Sequence, residues 1–116
     1  MPMQLNEFFA SPAIVGSTDI SLEGVFVVAH GRAYLVPSME AKDDLSRSVV
    51  MDYELLKPLL FSKVPAFGGG PYLYCDQAVV EGTLSLSEEG AEAQFVFRDV
   101  LSFSLTRRGH AFQVVP

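Results

Sequence analysis

Apolar residues fall along this chain in short runs and in alternation with polar ones, and both patterns predict strands. Asp19–Ala29 (DISLEGVFVVA) places Ile20, Leu22, Val25, Val27 and Val28 on apolar positions. His30-Gly31-Arg32 is a turn, Ala33–Val36 the returning strand, and Pro37 its end. The segment Ser38–Ser48 carries Glu40, Lys42, Asp43, Asp44 and Arg47 and reads as a polar loop. Val49-Val50-Met51 is a short strand. Asp52 stands where an N-cap belongs, ahead of YELLKPLLFSK, in which Leu55, Leu56, Leu59 and Leu60 share one helical face. That predicts a helix over residues 53–63, kinked at Pro58 or starting near Lys57 with the proline in its first turn. Residues 64–76 (VPAFGGGPYLYCD) read as a loop, glycine-rich in backbone and apolar in side chains. Gln77–Leu86 and Ala93–Phe97 are strands joined through Ser87-Glu88-Glu89-Gly90. Val100–Thr106 and Ala111–Val115 form a last hairpin across residues 107–110. At the other end, residues 4–12 suit a short helix or a docked arm, with Asn6 as cap, Pro12 as stop, and Phe8 and Phe9 packing on the body.

The predicted order is three strands, one helix, two strands and an extra hairpin. The expected fold is mainly β with one helix: a small OB-like β-barrel, in which a helix follows the third strand, or a two-sheet sandwich. A faint echo links LEGVFVV (22–28) to VEGTLSL (80–86). Each copy has a glycine inside a strand, where glycine marks a bulge or sharp bend. Two long bent strands are what a small barrel needs.

The length of 116 residues suits a single domain, 1–116. At 49% hydrophobic and 19% charged, the chain can build a core and is not a disordered tail. Its one cysteine, Cys75, cannot form an internal disulfide. The first eighteen residues have no Lys or Arg, unlike a signal peptide, and no apolar run approaches the roughly 20 residues of a spanning helix. The expected compartment is the cytoplasm, with no membrane partner. The net charge of −6 repels phosphate backbones and favours a basic protein partner.

Little in the chain carries reactive chemistry. GxSxG, HExxH, GxxxxGK[ST] and CxxC patterns are missing from the sequence. His30 and His110 sit in predicted turns, where a metal site or a triad is seldom built. Gly68–Gly70 lead into Pro71 rather than a helix start, so they do not read as a phosphate cradle. Cys75 lies beside Asp76, whose charge would raise the thiol pKa. The adjacent pairs Asp43-Asp44 and Glu88-Glu89 lie in polar loops, whereas catalytic carboxylates are usually buried. No catalytic residue, metal ligand or cofactor is expected. Phe67, Tyr72 and Tyr74 could stack bases, anchor a protein or close the barrel. Few basic residues accompany them, which disfavours nucleic acid.

The stretch VPAFGGGPYLY (64–74) joins a wider order of features: the apolar hairpin GVFVVAHGRAYLV, a short helix, the Pro-aromatic-Gly-Gly-Pro loop, Val80-Glu81-Gly82-Thr83-Leu84, and Asp99-Val100-Leu101-Ser102-Phe103. In this order, over residues 20–115, the chain resembles the small bacterial immunity-type proteins of polymorphic or contact-delivered toxin systems. The resemblance implies a non-enzymatic inhibitor that occludes a cognate toxin. It carries over no interface residues. The expected function is therefore a protein-binding module, with Phe67, Tyr72, Tyr74, Asp43 and Asp44 as candidate contacts for a partner such as a basic toxin domain. The alternative is an OB-type binder of an oligonucleotide or small ligand.

Overall fold

A computed structural model describes residues 2–10, 18–29, 32–52, 56–64, 72–88, 90, 93 and 95–115, with only the backbone described for Lys57, Tyr72 and Leu73. The elements are β1 (Met3–Gln4), α1 (Leu5–Ala10), β2 (Thr18–Ala29), β3 (Arg32–Val36), β4 (Val49–Met51), α2 (Leu56–Lys63), β5 (Tyr72–Leu86), β6 (Phe95–Arg107) and β7 (His110–Val115). β2 pairs antiparallel with β3, β3 with β4, β4 parallel with β6, and β6 antiparallel with β5. β5 then pairs antiparallel with β2 from Thr18↔Leu84 to Ala29↔Tyr72, which closes a five-stranded barrel. Closure decides between the two predicted architectures in favour of the barrel. With α2 between the third and fourth barrel strands, the order is OB-like. β1 adds beside β2, and β7 beside β6.

Side-chain alternation explains the core. In β2, Leu22, Phe26 and Val28 face inward, in β3 Ala33 and Leu35, in β4 Val49 and Met51, and in β5 Tyr74, Ala78, Val80 and Leu84. Phe95, Phe97, Val100, Phe103 and Leu105 complete the interior from β6. Phe26 packs edge-on against Phe103 with ring centroids 4.8 Å apart. The helices extend this core toward opposite ends of β5. α1 inserts Leu5 and Phe8, with Phe8 4.9 Å from the Phe95 ring. α2 inserts Leu56 and Leu60, and the buried Val64 that follows accepts a hydrogen bond from Tyr74 Oη at 2.7 Å through its carbonyl. Pro58 is the third residue of α2, where no intrahelical N–H bond is lost. Residues 53–55, where the helix was expected to begin, lie outside the described residues.

Long bent strands close so small a barrel. A Cβ on Gly82 would lie 2.1 Å from the Asp99 carbonyl oxygen, and one on Gly24 2.6 Å from that of Val36. Only glycine admits such close backbone approach. The register between β5 and β6 shifts on either side of Gly82, skipping one residue of β6 each time. These bulges correct the expectation of separate strands at 93–97 and 100–106: Arg98-Asp99 interrupts the alternation without ending the strand. The two echoed segments turn out to be partners, since Leu22 pairs with Val80. At the β6–β7 hairpin, Arg108 (φ 51°) and Gly109 (φ 81°) both adopt positive φ, the two-residue turn whose twist matches the strands.

Candidate functional site

Val25, Val27 and Ala29 of β2 and Tyr34 and Val36 of β3 point away from the barrel interior, yet all five are buried. Residues 38–48 cover them. This segment, read from the sequence as a polar loop, is a strap laid across the outside of β2 and β3. Its two 3-10 turns, Met39–Ala41 and Leu45–Arg47, turn Ala41 and Leu45 toward the outer apolar cluster. Tyr34 Oη donates to the Lys42 carbonyl at 2.7 Å, and Ser48 Oγ to the Leu45 carbonyl at 2.7 Å. Asp44 caps the second turn, accepting from the Ser46 amide at 3.2 Å and from Ser46 Oγ at 2.6 Å. The Cys75 thiol, on β5, meets Met39 Sδ at 3.0 Å.

The strap thus presents Glu40, Asp43 and Asp44 to solvent on a held backbone. Beside it, between the end of β2 and the start of β3, lies an open recess of about 410 Å³ lined by Ala29, Arg32, Tyr34, Asp43 and Leu45. Burial pushes the Tyr34 phenol pKa up, Asp43 and Cys75 add to the rise, and Arg32 opposes it. Burial also raises the Cys75 thiol, with Lys42 opposing and Asp76 and Asp43 reinforcing. A thiol held protonated in this way is a poor nucleophile at neutral pH.

Of the five candidate contacts, the three whose side chains are described do not share a surface. Asp43 and Asp44 are exposed on the strap. Tyr74 is a correction: it belongs to β5 rather than to a loop, and it is fully buried. Its ring lies 6.5 Å from that of Phe26 and 5.9 Å from that of Phe61. Burial raises its phenol pKa, with Arg107 opposing and Asp76 adding. Tyr72 also lies in β5, but its side chain is outside the described residues, as are Phe67, His30 and the three glycines.

The sequence reading missed a second polar feature. Asp76 faces the barrel interior, 5% exposed. Its carboxylate receives Nε and Nη2 of Arg107, each at 2.8 Å. The Arg107 guanidinium lies 5.9 Å from the Tyr74 ring centroid, and its bond to Asp76 raises its pKa. The pair fastens β5 to β6. Among the described residues no three His, Cys, Asp or Glu side chains converge as a metal site would require, and no helix is long and apolar enough to cross a membrane.

No family model matches the chain, and no curated protein or solved structure shows significant similarity to it. The OB-like description rests on strand order and pairing alone.

Proposed function

We propose that this chain is a protein-binding module, an immunity-type inhibitor whose strap contacts a basic surface of a toxin. The observation that carries this reading is the strap's position. OB-folds bind oligonucleotides on the outer face of their second and third strands and on adjoining loops. Here the strap covers the outer face of β3, the second barrel strand, and offers carboxylates where a phosphate backbone would have to approach. The same carboxylates, on a chain of net charge −6, suit a basic protein. A backbone ordered before binding also costs less to immobilise at an interface. The barrel interior, filled by Leu22, Phe26, Leu35, Leu84, Phe97 and Phe103, leaves binding to the outer surface.

The test begins with affinity capture from the native host with its neighbouring genes expressed, then measures the captured partner's binding kinetics. Asp43→Asn with Asp44→Asn removes two charges and keeps a side chain able to cap the second turn. The expected result is a several-fold slower association at low salt, converging with the parent at high salt. Unchanged association would overturn the reading. So would failure to recover any partner, and tight binding to single-stranded oligonucleotide would install the OB-type alternative.

A further inference from the structure

Strands β2, β5 and β6 present a second surface on the outside of the barrel. By alternation, Asp19, Ser21 and Glu23 of β2 point outward, as do Gln77, Val79, Glu81 and Thr83 of β5 and Ser102, Ser104 and Thr106 of β6. The registers set them in rows: Asp19 beside Thr83 beside Asp99, Ser21 beside Glu81 beside Ser102, and Glu23 beside Val79 beside Ser104. No lysine or arginine occupies any of these positions. With strands about 4.8 Å apart and residues about 3.4 Å apart, Asp19, Glu23 and Asp99 each stand about 8 Å from Glu81 along the sheet. That is about one Debye length at physiological salt, so all four charges act on one approaching cationic segment. Three of them are held in place. Thr83 Oγ1 donates to Asp19 at 2.8 Å, Gln77 Nε2 to Glu23 at 3.4 Å, and the Val100 amide to Asp99 at 3.0 Å. A carboxylate has about four acceptor sites, so these single bonds leave capacity for a guest. Arg98, beside Asp99 in the sequence, is bonded to Asp52 at 3.1 Å. Between the carboxylates the floor is low, built of serines, Thr83 and Val79, and the β6 bulge turns Leu101 out at its border, 49% exposed.

We propose that this sheet face docks a lysine- and arginine-rich segment of the partner, whose footprint runs from the strap across β2 to β6. The strap alone, residues 38–48, falls short of the roughly 20–30 residues a side of a standard interface. The two surfaces adjoin along β2: Glu23 opens onto the sheet face, and the next outward position, Val25, lies in the cluster under the strap. Four carboxylates without an intervening cation complement basic side chains and oppose an acidic or phosphate-bearing surface. The inference deepens the protein-binding reading and rests on it for the source of the segment, but the face can be probed without a partner.

The probe is hexalysine amide, titrated into the full chain at low salt while backbone amides are followed by NMR. Saturable shifts are expected at Ser21, Val79, Glu81 and Ser102. Glu23→Gln with Glu81→Gln should weaken binding about five-fold, as the loss of two exposed ion pairs would, and Asp43→Asn with Asp44→Asn should weaken it less. No saturable shifts, shifts confined to the strap, or a larger effect from the strap pair would each overturn the proposal. With a recovered partner, Ser104→Arg raises a cation from the floor and should speed dissociation about ten-fold, its fold being checked by the thermal midpoint. Glu23→Gln with Glu81→Gln, which keeps the side-chain shapes, should slow association several-fold at low salt. If the strap pair slows the partner's association while both sheet-face variants leave its kinetics unchanged, the sheet-face proposal alone falls. If hexalysine binds as expected and no partner is recovered, the cation-docking face stands and the protein-binding reading falls.

Discussion

Asp76 stands on β5 between Tyr74 and Ala78, at a position whose side chain turns into the barrel. A carboxylate so placed is tolerated because Arg107 meets both its oxygens. Removing one partner of such a pair leaves a buried charge without compensation, at a cost of about 3–5 kcal/mol, whereas replacing both by apolar residues is often neutral. The Arg107 side chain retains 16% exposure, which favours the lower figure for Arg107→Met. Asp76→Leu combined with Arg107→Met should recover most of the loss. Urea unfolding of the two single variants, the double variant and the parent completes the cycle. A single Arg107→Met variant as stable as the parent would show that water relieves the carboxylate. Neither residue announces this role in the sequence. Asp76 follows a glycine- and proline-rich stretch that reads as loop, and Arg107 opens a hairpin turn. Tyr74 is hidden for the same reason. Once the strand is extended back to Tyr72, alternation through 74, 76, 78 and 80 sends all four side chains inward, and the tyrosine becomes core.

At the scale of elements, the strap is the feature that sets the candidate surface. Tyr34→Phe deletes its bond to the Lys42 carbonyl, a net loss of about 0.5–1.5 kcal/mol. The local contact should loosen more than the barrel. The chain's one thiol, Cys75 beneath Met39, reports on it: alkylation by iodoacetamide at fixed pH should speed up several-fold, with little change in the thermal midpoint. An unchanged alkylation rate would mean that the apolar contacts of Ala41 and Leu45 hold the strap without the phenol. The strap's cover was partly legible. The first half of β2 alternates, with Asp19, Ser21 and Glu23 outward, but Val25–Ala29 is apolar throughout. A strand apolar on both faces is covered on both faces. What covers it could not be read, because Met39, Ala41 and Leu45 are the strap's apolar minority among charged and polar neighbours. The carboxylates of Asp43 and Asp44 were legible as exposed, since charged side chains in a polar stretch seldom leave water.

For the whole molecule, the order of strands and helix was readable from alternation and turn residues, and ring closure was not. Closure depends on β2 finding β5, and nothing in either strand names its distant partner, although the shared glycine-bearing pattern of 22–28 and 80–86 marks the two that meet. That seam has a consequence for how the chain reaches its native state. Hairpins β2–β3 and β6–β7 join near neighbours in the chain, but the seam brings together groups such as Thr83 and Asp19, 64 residues apart. The entropy of closing so long a loop must be spent before the pairing returns anything. The seam should therefore zip up late, after the transition state, in a chain that folds on the millisecond-to-second scale of non-local β topologies. Stopped-flow refolding of variants checks this. Weakening the seam with Thr83→Ala should mainly speed unfolding, whereas weakening the β2–β3 hairpin with Val36→Ala, on the strand that takes no part in the seam, should slow folding; the reverse pattern would place the seam in the nucleus. Until it closes, β2 and β5 expose long unpaired edges, and the nascent chain is at its most prone to pairing with another copy of itself.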